Sequence, residues 1–236
     1  IGGMGRITEL MADEARARGV GIETGVEVAE VLVDSGRAVG VRLASGDEVC
    51  VRAVAANVNP KLLYQRLVAN DALPAGFTAA IDRYRCGSGA FRVNVALAEL
   101  PDFHCLPGTR PQPHHASGIL LAPSLAAMDC AWRDAETKDF SSIPIVEMTI
   151  PSVVDDSLAP KDAHVASLFC QQFRPDADWD LLKPRAVEAI FDVVQSYCPN
   201  FRRSLLGYRA LSPLDLEREF GLVGGDIFHG QLSLDQ

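Results

Sequence analysis

Residues 26–57 constrain the fold of this chain more than any other stretch. Val31 and Val33, then Val39, Val41 and Leu43, then Val49, Val51 and Ala53 recur at every second position, with polar or small residues between them. A period of two marks a strand with one buried face. Asp34-Ser35-Gly36-Arg37 and Ala44-Ser45-Gly46-Asp47 interrupt the alternation with residues that accept the positive φ of a tight hairpin. The pattern predicts a three-stranded antiparallel meander. Ala53-Val54-Ala55-Ala56 follows as a small apolar run, suited to a strand covered on both faces, and Asn57 and Pro60 end it.

Around the meander the periods alternate. Ile7, Leu10, Met11 and Ala15 share one helical face opposite Glu9, Asp13, Glu14 and Arg16, with Gly19 as the stop and a short strand expected over Val20 to Thr24. Pro60 opens a helix to about Val68, and Phe77, Ala80, Ile81 and Tyr84 form another helical face. Phe91, Val93, Val95 and Leu97 alternate with Arg92, Asn94 and Ala96, which predicts a long strand with one wet or ligand-facing side. Residues 101–116 are rich in proline and histidine and read as a loop. Strands are expected over Ile119 to Leu121, Ile143 to Ile150, Val165 to Phe173 and Leu205 to Leu211. A helix capped by Ser124 carries Leu125, Met128 and Trp132, and another runs from Pro184 to Tyr197. Gly221 to Gly230 is glycine-rich and expected to be flexible. The sum is an α+β fold with mostly antiparallel strands.

Composition narrows the function. Lys and Arg number 22 against 31 Asp and Glu, a net charge of −9. No basic block offers a nucleic acid or an anionic membrane surface a partner. Hydrophobic residues make up 48%, enough for a core, and no run approaches the length of a membrane-spanning helix. The N-terminus has no signal-peptide pattern, so a cytoplasmic protein is expected. Cys50, Cys86, Cys105, Cys130, Cys170 and Cys198 contain no CxxC pair and read as reduced thiols.

Chemistry-bearing motifs are sparse. There is no GxGxxG, GxxxxGK[ST], HExxH or GxSxG. His114 and His115 are adjacent and point apart on an extended chain, so no metal site is expected. His229 stands among Gly224, Gly225 and Gly230, where backbone can approach a ligand closely, and is a candidate site residue. Asp155-Asp156 reads as a capped turn more than a carboxylate pair. Gly2-Gly3-Met4-Gly5 brings a helix N-terminus to a position suited to an anionic or planar ligand.

The order of these blocks resembles a known family. Gly2-Gly3-Met4-Gly5 with its helix, Arg18-Gly19-Val20, Thr24-Gly25-Val26-Glu27-Val28, Gly36 to Val41, Ser45-Gly46-Asp47-Glu48 and Ala53 to Pro60 resemble the phytoene desaturase-like flavoproteins of the amine-oxidase-like superfamily. Leu97 to Pro101, Pro151-Ser152 and Asp155 to Pro160 fit the same pattern. Gly224 to Gly230, with Leu232 to Gln236, resembles a branch distinct from the carotenoid enzymes proper. The resemblance implies an FAD-dependent dehydrogenase or desaturase acting on an apolar, isoprenoid or lipid-like small molecule, with peripheral membrane contact compatible with such a substrate. It implies a partial FAD-binding domain over 1–60, a substrate domain over 61–220 and a return segment toward the flavin over 221–236. Val28 is expected to contact the adenine through its backbone. The strand ending at Asn57 is expected to run under the cofactor, with Gly2, Gly3 and Met4 beside it. Phe228 and His229 are expected to line the substrate cavity. No catalytic residue is assigned. The diphosphate motif is absent, and the chain opens on Ile1 rather than Met, so it reads as a fragment, inactive alone. The same residues are compatible with a non-catalytic binding module of that ancestry, or with a flavin-dependent carotenoid cis–trans isomerase.

Overall fold

The computed structural model describes residues 2–234. Ile1, Asp235 and Gln236 lie outside them. The first helix, α1 (Gly5–Ala17), carries the predicted apolar face and ends where Gly19 takes a φ of +82°. None of its residues is buried, and Met4 before it is 81% exposed. The expected strand over Val20 to Thr24 does not form: the segment has no ladder partner among the described residues, and Val20 and Ile22 face solvent.

The meander is present as β1 (Val28–Asp34), β2 (Arg37–Leu43) and β3 (Glu48–Cys50), paired antiparallel in that order. Ser35 and Gly36 both adopt positive φ, the mirror-image turn that matches strand twist. Arg42 ties the three strands together by donating to Glu30 on β1 and Glu48 on β3. At Gly40 a Cβ would stand 2.6 Å from the Val49 carbonyl oxygen, so only glycine lets β2 pass so near β3. The twice-covered strand expected at Ala53 to Ala56 is a correction: Ala53, Ala55 and Ala56 are exposed and unpaired, because no described element stacks on either side. Val31 is the one apolar side chain buried among the described residues up to position 60.

The main core is built elsewhere. After α2 (Pro60–Leu62), which runs on as a π-helical turn over Leu63–Leu67, and α3 (Ala75–Arg83), a five-stranded sheet forms. Its strands are β4 (Phe91–Leu97), β5 (Ile119–Leu121), β6 (Phe140–Thr149), β7 (His164–Phe173) and β8 (Leu205–Leu211), ordered β5-β6-β7-β4-β8. Every ladder is antiparallel. Phe91, Val93, Val95 and Leu97 are buried as their alternation predicts, in one core with Val146 and Met148 of β6 and Leu168 and Cys170 of β7. Helix α4 (Leu125–Lys138) packs against β6, and α5 (Trp179–Tyr197) covers this face.

Three details depart from the sequence pattern. In α4 the inner face is Ala131 and Ala135, while Leu125 is 85% and Trp132 54% exposed, because small residues let the helix sit close on β6. In α5 the start is Trp179 rather than Pro184, since the Asp178 carboxylate caps the Leu181 amide one turn earlier. Beyond α6 (Phe201–Ser204) and β8, helix α7 (Pro213–Phe220) is an element the periodicity misses. Its signal is local: Ser212 and Asp215 form a reciprocal capping box and Gly221 closes the helix at φ +67°.

Candidate functional site

The expected site residues divide into three places. Gly3 and Met4, with Gly2 just before them, help line a cleft of about 580 Å³ between α1 and the 149–158 segment at the end of β6. Ile7 and Leu10 form one apolar wall, and Ile150, Val154 and Leu158 the other. The sequence predicts an anion for the amides ahead of α1, and the structure supplies one from the chain itself. The Asp155 carboxylate accepts from the Gly2 amide at 2.9 Å and the Gly3 amide at 3.1 Å. The Gly2 amide also donates to the Ser157 hydroxyl. The Ser157 hydroxyl first, and the Gly3 amide next, hold the Asp155 carboxyl at about 2, well below the ordinary carboxylate value. Asp155-Asp156 is thus a capped turn that seats residues 2–3, as its pattern suggests.

A depressed carboxylate stabilises above its unfolded value and ceases to as pH falls through the folded one. The seat of residues 2–3 on the 155–157 turn is therefore expected to hold at neutral pH and to open between about pH 4 and pH 2. Amide NMR shifts of Gly2 and Gly3 followed through an acid titration check this. A midpoint at the ordinary carboxylate value would show that the contact does not form in solution.

Val28 and Asn57 lie in the N-terminal part. Val28 is half-buried and begins β1, paired with Leu43; Asn57 is exposed in the unpaired stretch before the buried Asn59, which caps α2. Neither touches the cleft. Phe228 and His229 form the third place. Phe228 is 58% exposed, and the His229 backbone takes φ +63° with its carbonyl accepting from the Tyr84 hydroxyl at 2.8 Å.

The glycines around His229 have a different use from the one expected. The approach they permit is to the protein's own backbone: at Gly225 a Cβ would stand 2.4 Å from the Pro213 carbonyl oxygen, with φ at +64°. Nor is the segment loose. Asp226, 1% exposed, accepts from the Gly87 and Phe228 amides, both at 2.8 Å, and the Ser88 hydroxyl accepts from the Ile227 amide.

The fourth feature is a site that sequence reasoning only half located. The even-numbered side of β4 faces away from α5, and there Arg92 donates to the Ser167 hydroxyl at 2.7 Å and lies over the Phe169 ring. Asn94 beside it is exposed. Register puts Thr149, Ser167, Asn94 and Arg209 in one row across the sheet, and Thr149 also lines the cleft.

The histidines do not converge on a ligand. His115 is buried, accepts from the Gln112 amide and bonds the Pro101 carbonyl oxygen at 2.9 Å. Its ring lies 4.0 Å from that of His114, whose basicity is lowered by burial and then by His115. Among the described residues no group of three or more His, Cys, Asp or Glu side chains is placed to hold a metal ion, and no helix is long and apolar enough to cross a membrane. All six cysteines are unpaired; burial pushes the Cys198 thiol up to about 12.

Comparison with known proteins decides the relationship. Pyridine nucleotide-disulfide oxidoreductase domain-containing protein 2 of Rattus norvegicus and of Mus musculus is 39% identical over 246 residues in each case. Over its whole length, this chain is homologous to that protein. The alignment takes in 100% of this chain and 42% of the rodent proteins, so the chain spans about two fifths of their length. An oxidoreductase from Methanosarcina mazei has the same fold, with a TM-score of 0.54 at 14% identity over 85% of this chain and 40% of that one. No protein-family model matches. The flavin that the sequence resemblance leads one to expect needs hydrogen-bond donors for its diphosphate. The amides of Gly2 and Gly3, the best-placed donors for a diphosphate, are taken by Asp155. The amides of Gly2 and Gly3 therefore offer a diphosphate no free donors.

Proposed function

We propose that this chain supplies the substrate side of an FAD-dependent oxidoreductase that acts on an apolar, lipid-like molecule. The observation that carries the reading is the cleft between α1 and the 149–158 segment. It is walled by Ile7, Leu10, Ile150, Val154 and Leu158, and its volume, about 580 Å³, lies in the range of small-molecule sites. The relatives' name supports a redox enzyme. In this reading the chain's own residues bind, orient and exclude water: the apolar walls draw in a substrate by removing its surface from water, and the Asp155 seat ties the residues ahead of α1 to the 155–157 turn. In this reading FAD would supply the redox chemistry, held through residues other than Gly2 and Gly3.

The experiment is purification of the intact protein and, separately, of the 236 residues. The intact protein is expected to carry flavin absorbance through gel filtration, and the 236 residues to come through colourless. A colourless intact protein favours the binding-module reading, which the occupied Gly2 and Gly3 amides also support. A stoichiometric yellow complex of the 236 residues alone would overturn the expectation that they are colourless.

A further inference from the structure

We infer that the ligand of this chain is an amphipathic acid, its apolar chain in the cleft beside α1 and its carboxylate on Arg92. This rests on the apolar-substrate reading above and adds the headgroup to it.

The starting point is an incomplete guanidinium. Arg174, Arg202, Arg203, Arg209 and Arg218 each have a carboxylate partner. Arg92 has none among the described residues; Arg37, Arg52, Arg66, Arg83, Arg110 and Arg185 also have none, but those six are exposed. It is half-buried, fixed by the Ser167 hydroxyl at 2.7 Å and by the Phe169 ring, whose centroid is 5.2 Å from its Cζ. A partly desolvated cation held in one geometry has lost hydration without gaining a counter-ion. Its planar fork matches a carboxylate in bidentate fashion, and the ordering entropy of such a contact is largely removed in advance. Asn94, on the same face and two residues along β4, adds an exposed amide.

The second observation is where this group stands. Antiparallel register makes residues directly opposite share a face. Arg92 and Asn94 on β4, Ser167 and Phe169 on β7, and Glu147 and Thr149 on β6 therefore lie together on the side away from α5. Thr149 belongs to both the cleft and this face. Two strand spacings, about 10 Å, separate it from β4. A chain lying along the cleft thus meets, at one end, a sheet face whose unpaired cation is Arg92. Glu147, the one carboxylate in that row, stands beyond the Phe169 ring, so it repels a ligand acid at β6 and favours placement at β4.

The test compares palmitate with methyl palmitate, below their aggregation limits, by calorimetric titration of the intact protein. Two variants, R92M and R92K, accompany the wild type. Wild type is expected to bind the acid about ten- to hundredfold more tightly than the ester, the usual worth of a hydrogen-bonded charge. R92M should bring the acid down to the ester while leaving the ester unchanged, and R92K should keep most of the preference. Equal binding of acid and ester by wild type overturns the headgroup assignment and leaves the apolar cleft standing. Loss of both ligands in R92M marks Arg92 as merely structural and also overturns it. If neither ligand binds wild type, the apolar-substrate reading itself falls. If inorganic phosphate binds at Arg92 while palmitate does not, the site is one for a free anion and the inference fails.

Discussion

Trp179→Ala should lower the unfolding free energy by about 3–5 kcal/mol, the range for removing a large aromatic side chain from a packed core. Trp179 is almost wholly buried, and its ring packs on those of Phe91, Phe140 and Phe173 with centroid separations of 5.6, 6.1 and 5.8 Å. These rings come from β4, β6 and β7, so one side chain fastens the start of α5 to three strands. Its indole also donates to the Arg174 carbonyl oxygen at 3.0 Å, and that acceptor would lose its partner. Trp132→Ala is the control: that ring is exposed on α4, and its removal should move stability by no more than about 0.5 kcal/mol. Urea denaturation of the three proteins decides the matter. Equal midpoints for the two variants would mean that the ring cluster is not the anchor of this sheet.

Asp226→Ala should release the 221–234 segment. The carboxylate accepts from two backbone amides in a site closed to water, and its loss strands both donors. Charge-assisted bonds of this kind support an expected cost of about 3 kcal/mol. The more telling readout is local. Hydrogen exchange at Gly87, Ile227 and Phe228 should quicken by orders of magnitude while β4 and β7 keep their protection. If protection at Phe228 survives the substitution, the segment is held by the Ser88 and Tyr84 contacts instead.

Much of this fold is readable along the chain, and the reasons are physical. The meander and β4 are legible because period-two alternation and their turns are local properties. The α4 face is misread because Leu125 and Trp132 are the large apolar residues of that helix, whereas the sheet selects Ala131 and Ala135 for closeness. The strands expected at 20–24 and 53–56 fail for the opposite reason. Their composition is right for burial, but a strand exists only through its neighbours, and the described residues offer none. For the site, Gly2 and Gly3 are legible as anion-binding amides, and the anion's identity is not, because Asp155 is distant in sequence. Arg92 stands on the strand side marked as ligand-facing. That it lacks a counter-ion among the described residues is a property of its surroundings, which no spacing records. The use of Gly225 to pass Pro213 is equally silent, since a glycine that admits a ligand and one that admits backbone look the same in a sequence.

The place of β4 in the sheet also bears on how the protein is made. It pairs with β7 on one side and β8 on the other, yet it leaves the ribosome before either. The run Phe91 to Leu97, with Phe, Val and Leu on one side, must wait while Ala98 to Ala163 are translated before its first partner begins at His164. At ordinary elongation rates that delay is on the order of 10 s. During it an apolar strand stands without hydrogen-bonding neighbours, the condition under which chaperones are recruited and mispairing with β5 or β6 competes. The Arg and Asn that alternate with its apolar residues break the run's hydrophobicity. Residues read in the finished protein as a ligand-facing surface therefore also serve as guards of solubility while the chain is still incomplete.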